Sequence, residues 1–139
     1  VVSPGLKSEA LFGSIDIMPT LCGLAGLEIP QSCEGQDFSA ALQESAGPDP
    51  ECQFIMHISK DNATGGNKHP APIFRGIRTK RYTYAVKPSG EGFLFDIRQD
   101  PYQLKNLFDE PSAAEIRKQL KNLTRKCLTR AQDPFEMPE

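Results

Sequence analysis

The stretch from Ser112 to Thr129 sets the tightest limit on how this chain folds. Ile116, Leu120, Leu123 and Cys127 recur at steps of four, three and four, which puts them on one side of an α-helix. Lys118, Lys121 and Arg125 fall away from that side. Ser112 and Glu115, just after Pro111, have capping-box spacing and predict the helix start. A helix with one apolar stripe needs a single apolar layer to lie on, and the preceding segments offer it. Gln53–Ile58 reads as a buried strand, and Ile73–Arg78 and Tyr82–Val86 as two β-rich runs about a Thr79-Lys80-Arg81 hairpin turn. Phe93, Phe95 and Ile97 alternate with Leu94 and Asp96 as one more strand. The expected architecture is α+β, a small antiparallel sheet packed against a C-terminal helix.

Ile15 to Ala25 predicts a helix of another kind. Ser14 or Asp16 caps it, Asp16 adds a negative charge where the helix dipole favours one, and Pro19 fits the first turn. Gly26 is the expected stop. Ile15, Met18, Cys22 and Ala25 make one apolar stripe, and Ile17, Leu21 and Leu24 make a second beside it. A helix this apolar needs cover on more than one side, and one small sheet does not supply it. The expectation is a buried helix covered by a region upstream of Val1, where the opening Ser3-Pro4-Gly5 reads like a cut through a longer protein. A short helix is expected at Phe38–Gln43, and Gly47-Pro48-Asp49-Pro50 is the strongest internal boundary. Residues 1–46, 51–132 and a tail at 133–139 follow as the predicted parts.

The 139 residues suffice for one domain with a core. A formal net charge of -2 gives no global basic field for nucleic acid or an anionic membrane. No apolar run approaches the ~20 residues of a membrane span. Cys22, Cys33, Cys52 and Cys127 match no zinc spacing. Cys22 and Cys127 read as buried thiols, and a Cys33–Cys52 disulfide is left open.

Three segments, in order, resemble the sulfatase family. Ile15-Asp16-Ile17-Met18-Pro19-Thr20-Leu21, running to Gly26, resembles the helix that follows the substrate-site region. Phe74 to Tyr84 resembles the hairpin of the C-terminal subdomain. Leu94-Phe95-Asp96-Ile97 with Asp100-Pro101-Tyr102-Gln103 and Asn106-Leu107 resembles the strand and turn before the last helix. Gln103 departs from the Glu that many members carry. The resemblance implies a parent of alkaline-phosphatase-like α/β fold. In that parent residues 1–46 end the catalytic domain and 51–132 form the C-terminal subdomain. It implies sulfate-ester hydrolysis by a formylglycine nucleophile bound to calcium, both supplied by the missing N-terminal catalytic region, in a periplasmic, secreted or lysosomal setting. The Cys/Ser-x-Pro-x-Arg motif that yields formylglycine is absent here, so no catalytic residue, metal ligand or cofactor is assigned to this chain.

Few residues remain as site candidates. Lys60, Lys68 and His69, in the polar loop Ser59–Pro72, are the candidates for contact with an anionic sulfate-ester substrate. His57 reads as a packed side chain at a strand end. Asp96 and Asp100 read as turn-forming carboxylates before Pro101. Arg75, Arg78, Lys80 and Arg81 make a basic hairpin with two readings. One is recognition of a sulfated glycan, the other charged strand edges with an ion pair; alternation puts Arg75 and Arg78 on opposite faces. Two alternatives to the sulfatase reading stay open: a phosphoester hydrolase of the same superfamily, and a non-catalytic module that binds anionic glycans.

Overall fold

A computed structural model describes residues 5, 7–43, 46–58 and 73–139. The chain forms two compact units, one up to Gln53 and one from Phe54 onward.

In the first unit a 3-10 turn at Ser14–Asp16 runs into α1 (Ile17–Ala25). Pro19 is buried in the first turn of α1, where a missing amide donor costs nothing. Gly26 takes the left-handed conformation (φ 67) and Leu27 N–H closes onto Cys22 O at 2.9 Å, so the helix stops where the sequence marked it. Asp16 caps the 3-10 turn that leads into α1 by reaching back to the Gly13 amide, and makes no cap bond to α1 itself. Its carboxylate accepts Gly13 N–H (2.7 Å), Gln36 N–H (2.8 Å) and Gln53 Nε2 (2.8 Å), and only 2% of the residue is exposed. The partners at 36 and 53 are distant in sequence, which is why a local reading saw only the helix end. Thr20 works alongside: its hydroxyl accepts Phe38 N–H at 3.0 Å and seats the buried Phe38 ring against Phe12. The predicted short helix is α2 (Ser39–Leu42). Within this unit α1 buries Pro19, Thr20 and Cys22, while Ile15, Ile17, Met18 and Leu21 stay exposed.

The second unit carries most of the four-stranded sheet, in the order β1 (Gln53–His57), β2 (Phe74–Arg78), β3 (Tyr82–Val86), β4 (Gly92–Asp96). Pairs β2–β3 and β3–β4 are antiparallel, with Ile77 opposite Tyr84 and Tyr84 opposite Leu94. These three are at most 1% exposed and form the sheet side of the layer covered by α3 (Ala114–Arg130), which packs on β2 and β3. Phe74, Phe93 and Phe95 alternate to the opposite face, where their rings meet in series at 5.6 and 5.7 Å. Burial pushes the Tyr84 hydroxyl up to about 12, although the charges of Arg117 and Arg125 pull it down.

Two details of α3 differ from expectation. The helix is entered through a 3-10 turn at Pro111–Ala113, so Ser112 lies inside that turn and no side chain caps the start. The buried line is Leu120, Thr124 and Leu128, one step round from the predicted stripe, with Ile116, Leu123 and Cys127 half-buried beside it. Thr124 is tolerated in that line because its hydroxyl donates to Leu120 O at 2.8 Å, leaving its methyl to pack. The four cysteines form no disulfide.

Replacing Asp16 by Ala orphans three donors at once. The expected loss is about 2–4 kcal/mol of stability, read as a lower thermal midpoint; an unchanged midpoint would deny Asp16 its joining role.

Candidate functional site

Lys60, Lys68 and His69 lie outside the described residues. What is visible is the frame that holds their loop, the end of β1 and the start of β2, which neighbour one another in the sheet. Arg75 organises this frame. Its Nε donates to Asp133 Oδ2 at 2.6 Å, and its Nη1 donates to His57 O (3.1 Å) and Phe74 O (3.0 Å). The guanidinium also lies over the Phe135 ring, 5.2 Å from its centroid. Asp133 arrives there because Gln132 takes a left-handed conformation (φ 50) and Asp133 N–H returns to Leu128 O at 3.0 Å, ending α3 as a glycine would. His57 is packed, as expected, with its ring stacked on Phe74 at 6.1 Å, and its buried Nδ1 has no hydrogen-bond partner among the described residues.

The basic hairpin divides between the two faces. Arg75 is held by Asp133 under the helix tail, and Arg78 donates to the Thr83 hydroxyl across the ladder. Arg81 donates through Nε and Nη2 to Asp96 Oδ2 at 3.0 and 2.8 Å. Arg75 and Arg81 are thus engaged by carboxylates, which disperses the glycan patch that their sequence proximity suggested. Asp96 is a turn residue: Oδ1 accepts the amides of Arg98 and Gln99 while Oδ2 takes Arg81. The hydrogen bond from Arg81 holds the Asp96 carboxyl below the usual range; burial opposes this, and the two amides add to it. Asp100 accepts Lys105 N–H at 2.7 Å, and Gln103 takes a left-handed φ of 54 in the same turn. Asn106, part of the family-like turn segment, accepts the amides of Leu94 (2.9 Å) and Phe108 (3.0 Å) and donates to Gly92 O.

Calcium has no seat among the described residues. Asp16 and Asp96 have their oxygens occupied by N–H donors, and no group of three or more His, Cys, Asp or Glu converges. An open depression beside the β3–β4 turn, lined by Lys87, Ser89, Glu91 and Asp109, holds only the Lys87–Glu91 pair at 2.7 Å. No described helix is long and apolar enough to cross a membrane.

One concentration of charge was not recognised from sequence as a unit. Helix α3 carries Arg117, Lys118, Lys121, Arg125, Lys126 and Arg130 against the single acid Glu115. Arg117 donates to Phe108 O and stacks on that ring. Among the described residues Lys118, Lys121 and Arg125 have no ion-pair partner. Each like-charged pair at a spacing of three or four costs the helix about 0.2–0.5 kcal/mol. The signal lies in the helical spacing, spread over fourteen positions, whereas the hairpin cations are denser in sequence.

Residues 1–130 match the family described as N-sulphoglucosamine sulphohydrolase, C-terminal. The chain is 34% identical over 135 residues to an ulvan-active sulfatase of Formosa agariphila, covering 95% of this chain and 25% of that protein. It superposes on a solved 2-O GAG sulfatase with a TM-score of 0.72 at 25% identity, covering 85% of this chain and 25% of that one. It is also similar to the phosphonate monoester hydrolase of Agrobacterium radiobacter, with a TM-score of 0.59 at 28% identity, covering 84% and 24%. The chain therefore spans about a quarter of the length of these relatives.

Breaking the Arg75–Asp133 pair from one side leaves a buried charge alone. Asp133→Asn or Arg75→Met is expected to cost about 3–5 kcal/mol in denaturant unfolding, and a cost under about 1 kcal/mol would show that the clasp is dispensable. Asp96 and Asp133 both titrate below the usual range. For Asp133, burial pushes upward but is outweighed by the Arg75 hydrogen bond, the Phe135 amide and the Arg75 charge. Depressed carboxyls stabilise the fold above their unfolded value of about 3.9 and lose that contribution as pH falls through the folded value. Stability should therefore fall below pH about 4, and Arg81→Gln should flatten that fall; an equal slope in both proteins would count against the Asp96 contribution.

Proposed function

We propose that this chain, which belongs to the N-sulphoglucosamine sulphohydrolase C-terminal family, is the C-terminal part of a sulfuric ester hydrolase and forms one wall of its substrate cleft. The observation that carries the reading is the continuous match over residues 1–130, joined to the antiparallel sheet and helix shared with the solved sulfatase. The exposed Ile15 of the 3-10 turn and Ile17, Met18 and Leu21 of α1 support a role in completing the fold, with the upstream region as their cover. The loop between β1 and β2, braced by Arg75 at its neck, would bring Lys60, Lys68 and His69 to the sulfate group. Ammonium and imidazolium donors suit a sulfate oxyanion. Calcium and the formylglycine nucleophile would belong to the upstream region, because this sequence has neither the motif nor, among the described residues, a ligand cluster. The substrate class we infer is a sulfated polysaccharide, in keeping with relatives named for activity on ulvan and as a 2-O GAG sulfatase.

The likeness to a phosphonate monoester hydrolase keeps a second reading, hydrolysis of a phosphorus ester by the same parent fold. A glycan-binding module acting through the hairpin has less support, since Arg75 and Arg81 are held by Asp133 and Asp96.

Assaying the full-length protein with an aryl sulfate and a phosphonate monoester decides between the first two. Faster turnover of the sulfate by at least about tenfold is expected, and the reverse preference would overturn the sulfatase reading. The 139-residue chain alone should turn over neither ester. Lys68→Ala and His69→Ala in the full-length protein should each raise KM for the sulfated substrate roughly tenfold; unchanged kinetics would remove the loop from the cleft.

A further inference from the structure

Lys118, Lys121 and Arg125 share one flank of α3 without a carboxylate partner among the described residues, in a chain whose formal net charge is -2. The only acid of the helix, Glu115, accepts from Gln119; Arg125 donates to Asn122 Oδ1 at 3.1 Å, and Glu139 alone acts on Lys121 as a nearby carboxylate. Lys121 and Arg125 are one helical turn apart, about 6 Å along the axis, and Lys118 lies a turn before Lys121. They form a straight basic ridge. Burial lowers the Lys121 ammonium pKa, the Arg125 charge lowers it further, Glu139 partly offsets this, and Arg117 adds to the lowering. A ligand that relieves such crowding brings several negative charges in a row.

The composition of the flank narrows the ligand. A stable protein partner needs an apolar anchor at the centre of its contact, and Ala114, Asn122 and Thr129 provide none on this side. Single-stranded nucleic acid needs aromatic platforms for its bases, and α3 has no aromatic residue. A polysaccharide carrying sulfates or carboxylates asks only for a row of cations, with guanidinium pairing its oxyanions bidentately.

We propose that the Lys118–Lys121–Arg125 flank of α3 binds an anionic polysaccharide, gripping the polymer whose sulfate ester the parent enzyme cleaves. The second half of this statement rests on the sulfatase reading above; the binding surface itself does not. Attraction of this kind is screened by salt and weakens as ionic strength rises.

Heparin serves as the probe, with the full-length protein carrying Lys118→Gln, Lys121→Gln and Arg125→Gln together. The triple variant should bind heparin roughly tenfold more weakly than the unsubstituted protein at ~0.15 M salt and leave a heparin column at lower salt. A charge-keeping variant, Lys118→Arg, Lys121→Arg and Arg125→Lys, should retain most of the binding and so separate lost charge from lost folding. Equal heparin affinity in the Gln variant overturns the proposal. So does a lower thermal midpoint with unchanged heparin affinity, which would make the flank a contact with the rest of the polypeptide. Hydrolysis of nitrophenyl sulfate by the unsubstituted protein distinguishes the two readings. Charge-dependent heparin binding in a protein that cleaves no sulfate ester upholds the ridge and removes the sulfatase assignment.

Discussion

The buried pair between Arg75 and Asp133 is the contact on which the second unit depends. The two side chains are 10% and 8% exposed, so each would carry a heavy desolvation cost alone. Together with the bonds from Arg75 to His57 O and Phe74 O, the pair fastens the end of α3 to the first two strands. That fastening keeps α3, with its buried Leu120, Thr124 and Leu128, packed on β2 and β3. It also fixes the neck from which the loop with the candidate substrate contacts departs. One guanidinium thereby links the packing of the helix to the geometry of the proposed cleft wall.

Buried polar groups do similar joining elsewhere, and each is satisfied. Asp16 gathers Gly13, Gln36 and Gln53 in the first unit, Thr20 holds Phe38, and Asn106 laces the segment after β4 to its edge. Short, proline-rich connections leave many backbone groups without a helix or strand partner, and side chains of Asp, Asn and Thr supply the bonds. His57 Nδ1 is the exception among the described side chains, and it lies at the edge of the proposed cleft loop.

Charge is arranged with the same economy and to a different end. Arg75 and Arg81 of the hairpin are held by Asp133 and Asp96, and Arg78 by the Thr83 hydroxyl, which makes them parts of the fold. Lys118 and Arg125 of α3 face outward with no ion-pair partner among the described residues, which leaves them open to a ligand. A net charge of -2 conceals both facts, because it sums over surfaces that never act together.

Much of the fold was legible in the sequence. Tyr82–Val86 is a strand as predicted, Gly26 ends α1, the hairpin turns at Thr79–Arg81, and the sheet and helix form the expected α+β layer. Periodicity and turn chemistry act over a few residues, so they can be read without knowing what lies across the fold. The resemblance to sulfatases likewise rested on ordered local segments. What only the tertiary structure decided was partnership. Asp16 became a junction as well as a cap of the entering turn, Ser112 entered a 3-10 turn, and the buried line of α3 rotated to admit Thr124. Arg75 found a carboxylate 58 positions away, and Leu94 rather than the Phe93–Phe95 side turned toward the helix. Those outcomes depend on which surfaces meet, and the free energy of meeting is set by burial and by distant donors and acceptors, neither of which a local pattern contains.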